Sequence, residues 1–539
     1  MTDQRSGAQP LGQLVSAMLE AWRRGDAGGA ERAAQAVLSL APREANALQV
    51  LAAVRLGQGR PAEAVHLLRA ADSSAPDNAS ILNMLGLALR RAGAVSEARD
   101  ALLRAGELGQ GEAWRNLGEL EAAAGRADAA LLAFERAVAA QPASASAQAA
   151  LSRTLEQRHD LARAKIHADL ALKADPQSQT ARLARAQIAV RERDDAAAEI
   201  LAPLLSAAAT TPINRAIAWG LMGEIHDRAG RFHDAFAAFA AANAQLAALN
   251  SHLLNAEDSP FHPSALARLT RFLVNDGAAA WRHPAHYEQQ APVFLVGFPR
   301  SGTTLLEQIL ASHSRIVCLE ERDVLASSVV DLMMSDAALT ALERMPEAEI
   351  HQRRRRYWES VGAHVSVGAH LFVDKLPLNI VFLPLIARIF PDAKIIFALR
   401  DPRDVLLSCF QQRFGMNAAM AQLLDLEGGA RYYGAVMDLA AEARARLPLR
   451  LHELRYEDVV GDLDGAAPGL AAFLEVDFEA GMLEFSATAR RRVINTPSAR
   501  QVIEPIYTRS VGRWRNYAAE LAPVLPTLDA WAARWGYAG

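Results

Sequence analysis

Cysteine is nearly absent from this 539-residue chain: Cys318 and Cys409 are its only two. Two thiols make no disulfide framework, so a reducing compartment is expected. Aromatic residues are scarce at 6%. With abundant alanine, that is the profile of a helix-rich globular protein. Excess basic charge is missing as well, with 57 Lys and Arg against 61 Asp and Glu and a net charge of −4. Nucleic-acid binders are normally basic, so that class is set aside. No stretch approaches the ~18 uninterrupted apolar residues of a membrane helix. The opening MTDQRSGAQPLGQL lacks the apolar core of a signal peptide. The expectation is a cytoplasmic protein with neither membrane nor nucleic acid as partner. His313, His351 and His452 do not fall at a metal-ligand spacing, no Ser-His-Asp or Cys-His arrangement emerges, and no metal is expected.

What is present begins with a repeat. Pro42 and Pro76 are 34 residues apart, as are Pro142 and Pro176. Gly25, Gly59, Gly93 and Gly125 follow at intervals of 34, 34 and 32, and His159-Asp160 continues the series. The clearest unit, EAWRNLGELEAAAGRADAALLAFERAVAAQP, carries Trp114, Leu117, Gly118, Ala130, Phe134, Ala137 and Pro142. Small residues at Gly118 and Ala130 let two helices approach. Trp114, Leu117 and Phe134 fill the groove, and Pro142 ends the unit. One unit cannot bury its apolar face, so several must stack. Six or seven are expected across residues 11–250, after a disordered 1–10. Such a solenoid presents a face to a protein or peptide. The alternative is a rigid spacer or a dimerisation element, which would make the chain a homodimer. Periodicity breaks over 251–289, read as a linker plus a helix leading into a second domain at 290–539.

That domain opens on FLVGFPRSGTTLLEQIL, residues 294–310. The apolar run reads as a buried strand of a parallel sheet, PRSG as a tight turn, and TTLLEQILASH as a helix. A strand, a turn and a helix N-terminus form an anion site, with the N–H groups of Gly302, Thr303 and Thr304 facing the ligand. Arg300, Ser301, Thr303 and Thr304 add side-chain donors. The loop resembles G-x-x-x-x-G-K-[ST], yet Thr303 occupies the lysine position, and no Walker-B acid follows a later strand. An NTP-hydrolysing site or a P-loop kinase is therefore disfavoured. AKIIFALRDPRDVLLSCF supplies a second anion site. Arg400 ends a strand and Ser408 lies eight residues on, two turns into a helix. RRRR at 353–356 reads as one turn of a solvated helix, and His313 as a core or capping residue.

These segments resemble the sulfotransferases. RSGTTLLEQILASHSRIVCLEERDVL is similar to the protein-tyrosine branch and its bacterial relatives, and the first half resembles tetratricopeptide repeats. The resemblance implies an α solenoid followed by an α/β domain with a parallel sheet of P-loop-like type. It implies the donor 3′-phosphoadenosine 5′-phosphosulfate and an acceptor hydroxyl, such as a protein tyrosine. Arg300, Ser301, Gly302, Thr303 and Thr304 would hold the 5′-phosphosulfate, while Arg400 and Ser408 would hold the 3′-phosphate. The family's base falls on Glu321, with Glu320 the adjacent alternative. The family usually has a glycine before this pair, where Leu319 stands. Lys375, 25 residues before Arg400, matches the lysine that neutralises the leaving group, and Tyr456 matches a nucleotide contact. TPSARQVIEPIYTRSVGRW is similar to a segment that covers the donor. It implies a transition-state role for Ser498, a donor contact for Gln501 and a phosphate contact for Arg513. The family's further arginine after Arg400 is here Gln412, with Arg413 next. Two alternatives stand beside this reading: a catalytically silent protein-binding scaffold, and a carbohydrate or small-molecule sulfotransferase.

Overall fold

A computed structural model describes residues 11–275, 291–486 and 508–537. The chain divides into two compact units, Met1–Ile200 and Leu201–Gly539.

In the first unit, helices come in hairpins: Leu11–Arg23 with Ala27–Leu40, Ala45–Gly57 with Pro61–Ser74, Ala79–Arg91 with Val95–Glu107, Gly111–Ala123 with Ala127–Ala140, and Ala145–Gln157 with Leu161–Ala174. Gln179–Glu192 follows. The periodic glycines sit at the hairpin turns, where the backbone becomes left-handed: φ is 76° at Gly25, 71° at Gly59, 81° at Gly93 and 75° at Gly125. That conformation favours glycine and ends a helix. His159 adopts it too, at φ 65°. Inside the hairpins, close approach sets the other marker. A Cβ on Gly118 would lie 2.6 Å from the Phe134 ring. Asn116 Nδ2 donates to Asn83 Oδ1 at 2.8 Å, tying one hairpin to the previous one. Buried Glu121 accepts from Arg99 Nε at 2.8 Å and also from Arg126, which offsets the burial of its charge.

The second unit starts with another hairpin, Pro212–Arg228 and Phe232–Leu249. It uses the same device, since a Cβ on Gly223 would lie 2.6 Å from Phe239. This last hairpin, inside the expected repeat span of 11–250, packs into the second unit. Phe236 stacks on Phe410 with centroids 5.0 Å apart, and Asn243 Nδ2 donates to Phe410 O at 2.9 Å. Asp227 accepts from Tyr517 and pairs with Arg513.

A five-stranded sheet follows, in the order β2-β3-β1-β4-β5. The strands are β1 Val293–Gly297, β2 Ile316–Glu320, β3 Leu371–Lys375, β4 Lys394–Leu399 and β5 Arg450–Arg455. All pairings are parallel. β1, β3 and β4 are buried throughout, because helices cover both faces. Alternate residues serve separate cores. Phe294, Val296, Phe372, Ile395 and Phe397 face one. Val293, Leu295, Val373 and Ile396 face the other, together with Leu306, Ile309 and Leu310 of the Thr303–Ala311 helix. The chain leaves β1 for one face and β4 for the other, so a crevice opens at the carboxyl ends between them.

One expectation is corrected. The arginines at 353–356 lie on the Glu347–Gly362 helix, but Arg353 and Arg354 are buried. Arg353 makes 2.8 Å contacts with both Asp331 oxygens, and Arg354 Nε donates to Ile389 O at 2.6 Å. His313 is buried as expected: it accepts from Arg315 N at 3.0 Å on Nδ1, which leaves Nε2 to donate to Asp477 O at 2.7 Å.

Candidate active site

The residues singled out on β-strand ends gather at the carboxyl edge of the sheet. Arg300–Thr304 follow β1, Glu321 follows β2, Lys375 ends β3, Arg400 follows β4 and Tyr456 follows β5. Parallel strands force this convergence, since every strand delivers its last residue to the same edge.

The turn after β1 is built for close approach. Arg300 and Gly302 both have left-handed backbones, at φ 70° and 94°. A Cβ at Gly302 would lie 2.7 Å from Tyr456 Cδ2, so only glycine fits over that ring. The Thr303–Ala311 helix then begins, with its N-terminal partial positive charge at the turn. Arg300 Nε donates to Ser408 Oγ at 3.0 Å, across the crevice between β1 and β4. Arg400 Nη1 donates to Arg300 O at 3.1 Å, and Nη2 donates to Ser510 O at 2.7 Å. Its guanidinium lies 4.7 Å from the Tyr456 ring centroid. Arg300, Gly302, Ser408, Arg400 and Tyr456 thus surround one cationic cradle, with Ser301, Thr303 and Thr304 buried beside it.

The R-D-P-R-D turn divides its labour. Arg400 faces the cradle. Arg403 is held by Asp401, by Asp529 at 3.1 Å, and over the Trp514 ring at 4.3 Å. Asp404 accepts from Gly512 N at 2.7 Å and Trp514 N at 2.8 Å, which hangs the C-terminal segment on this turn. Burial pushes the Asp404 carboxyl up, against Arg400 and the two N–H donors.

Next to the cradle lies a charged triad. The Lys375 side chain is 0% exposed. Its Nζ donates to Glu321 Oε1 at 2.9 Å and sits 3.1 Å from Glu307 Oε2. Burial alone would lower the lysine pKa, but Glu307 and Glu321, with Glu320 behind them, reverse this and raise it. Glu321 takes a positive φ of 41°, and its N–H donates to Lys375 O at 2.8 Å. That turn aims its side chain back at Lys375. Leu319 lies inside β2, in register with Asp374, and buries its side chain in the core. The substitution for glycine therefore leaves a regular strand. Glu320 pairs in register with Lys375 at the strand end.

The structure brings together Arg300, Ser301, Gly302, Thr303, Thr304, Arg400, Ser408 and Tyr456, with Glu321 and Lys375 beside them. Arg513 is instead engaged with Asp227 of the 212–228 helix. Ser498 and Gln501 lie outside the described residues. Glu307 was missed by sequence reasoning. A charge in an amphipathic helix suggests a wet face, but every residue from Thr303 to Leu310 is buried. Among the described residues, no group of three or more His, Cys, Asp and Glu side chains could hold a metal ion, and no helix is long and apolar enough to cross a membrane.

Comparison with known proteins fits both units. Residues 292–480 match the model of the sulfotransferase family, and residues 17–79, 50–112 and 108–145 match a tetratricopeptide repeat model. An uncharacterized protein of Aquifex aeolicus (strain VF5) is 31% identical over 260 residues, 46% of this chain and 33% of that protein. A protein-tyrosine sulfotransferase of Drosophila melanogaster is 22% identical over 299 residues, 49% of this chain and 56% of that enzyme. A human protein-tyrosine sulfotransferase 1 is 28% identical over 135 residues, 24% of this chain and 36% of the enzyme. The chain thus spans from a third to about half the length of these relatives. It carries tetratricopeptide repeats and a sulfotransferase-family domain.

Proposed function

From a chain that carries a sulfotransferase-family domain, we propose a sulfotransferase that moves a sulfuryl group from 3′-phosphoadenosine 5′-phosphosulfate to an acceptor hydroxyl. The observation that carries this reading is the meeting of two elements at the sheet edge: a phosphate-type cradle without a P-loop lysine, and the Glu321–Lys375 pair. The donor supplies a reactive sulfuryl group and a phosphate leaving group. The cradle's residue types fit it. Arg300 and the helix N-terminus suit the 5′-phosphosulfate, and Arg400 and Ser408 suit the 3′-phosphate. Tyr456, already under a guanidinium, offers a ring for the nucleotide. Ser498, Gln501 and Arg513 remain further donor contacts by resemblance alone.

Glu321 is the base. Its side chain is one-third exposed (33%), whereas Lys375 is wholly enclosed, so Glu321 is the triad member able to meet an acceptor. The acceptor O–H bond breaks and its proton passes to the Glu321 carboxylate. The freed electron pair forms the new O–S bond. The S–O bond to phosphate breaks, and its pair stays on the phosphate oxygen. Lys375 faces that developing charge with a fixed ammonium. A protein tyrosine as acceptor is supported by the named relatives, and recruitment by the repeats is supported by their fold class.

The test is transfer of label from radiolabelled donor to acceptors in a cell extract. Wild-type protein should label, and Glu321→Ala and Arg300→Ala should lose roughly a hundredfold or more in rate. Undiminished labelling in both variants would sink the assignment.

A further inference from the structure

Glu307 has no role in the scheme above, yet it touches the catalytic lysine. Its side chain is 1% exposed, one turn beyond Thr303 on the same helix. β3 alternates faces, which sends Lys375 toward that helix and Asp374 toward the opposite core. The lysine therefore lies between two carboxylates of unlike access: Glu307, sealed within the protein, and Glu321, open to an acceptor.

This asymmetry matters during turnover. A base that takes the acceptor proton becomes neutral and no longer balances the ammonium. Negative charge on the leaving oxygen replaces that balance only as the S–O bond breaks, and a fully buried ammonium without a fixed counter-charge is driven to lose its proton or to move. We propose, resting on the sulfotransferase reading, that Glu307 is a positioning residue: its buried carboxylate holds the Lys375 ammonium at the end of β3 after Glu321 has accepted the proton. Glu307, at 1% exposed, does not meet the acceptor. Glu320 and Glu321 face the lysine from the end of β2, and Glu307 faces it from the Thr303–Ala311 helix. Of these, Glu307 is the carboxylate sealed from solvent in direct contact with the ammonium.

The experiment uses the full chain and Glu307→Gln, which keeps the shape and removes the charge. Lysines number four, Lys165, Lys173, Lys375 and Lys394. In protein labelled with ¹³C-lysine, Lys375 can be assigned by its loss in Lys375→Arg. In the unliganded variant, the Lys375 resonance should titrate at lower pH than in wild type. With donor and acceptor, kcat should fall roughly tenfold or more, the donor KM should stay within about twofold, and Glu307→Asp should recover part of the rate. An unchanged lysine titration overturns the proposal, whatever happens to kcat, because a merely structural glutamate would move stability and not the lysine. If wild-type protein transfers no sulfuryl group at all, the functional reading fails, and the titration of Lys375 still decides whether Glu307 holds it.

Discussion

Asp374 and Lys375 are neighbours in sequence with opposite surroundings. The lysine meets carboxylates, whereas the aspartate is sealed in the other core. There it accepts from Tyr357 OH at 3.1 Å and from Asn379 Nδ2 at 3.4 Å. Burial pushes its carboxyl from the ordinary 3.8 to about 7, with the tyrosine opposing and Asp323 adding repulsion. Between those values the folded protein holds a proton that the unfolded chain has lost. The stability this contributes is complete below about pH 4 and is lost as pH rises through about 7. At about 1.4 kcal/mol per unit, wild type should lose up to roughly 3 kcal/mol between about pH 5 and about pH 8 through this group. Asp374→Asn should be nearly free of that loss. Urea unfolding at the two pH values measures the difference, and equal slopes for the two proteins would refute the assignment.

Among the elements, the 212–249 hairpin has the least obvious task. It resembles the repeats in its sequence and in its Gly223–Phe239 contact, but it serves the second unit. Its main polar tie is Asp227, which engages both Arg513 and Tyr517. Removing the carboxylate in Asp227→Ala leaves a half-buried arginine without its partner. We expect a loss of roughly 1–2 kcal/mol, discounted for the arginine's partial exposure. A denaturation midpoint unchanged from wild type would exclude the tie.

Much of this scale was legible in the sequence. The glycine period reported left-handed hairpin turns, and His159 kept the register because the turn geometry, not the residue name, repeats. β1, the loop helix and the Arg400–Ser408 segment were legible because strand-end motifs carry their chemistry in fixed local spacing. The missed features depend on what lies opposite in space. Glu307 looks solvent-facing until β3 delivers a lysine to it. Arg353 and Arg354 look like a wet turn until Asp331 and Ile389 meet them. The pairing of Arg513 with Asp227 spans 286 residues, so no local motif announces it.

At the scale of the whole molecule, the chain is two compact units with different sources of stability. The repeats rest on stacking of neighbouring hairpins, whereas the second unit rests on a covered sheet. We expect two resolved transitions in calorimetry. A nucleotide that binds the cradle should raise only one of them. At a hundred times its Kd, 3′-phosphoadenosine 5′-phosphate adds about 2.7 kcal/mol to the unit that binds it. A shift of both transitions together would show that the units unfold as one.

The Thr303–Ala311 helix carries the cationic cradle at its first turn and Glu307 at its second, and its apolar face is pinned by Leu306, Ile309 and Leu310. One short rod therefore sets both the cradle's geometry and the lysine's environment. Mutational scanning should find these two traits inseparable along it. A substitution that tilts the rod changes both, so this helix is the part of the site least open to drift.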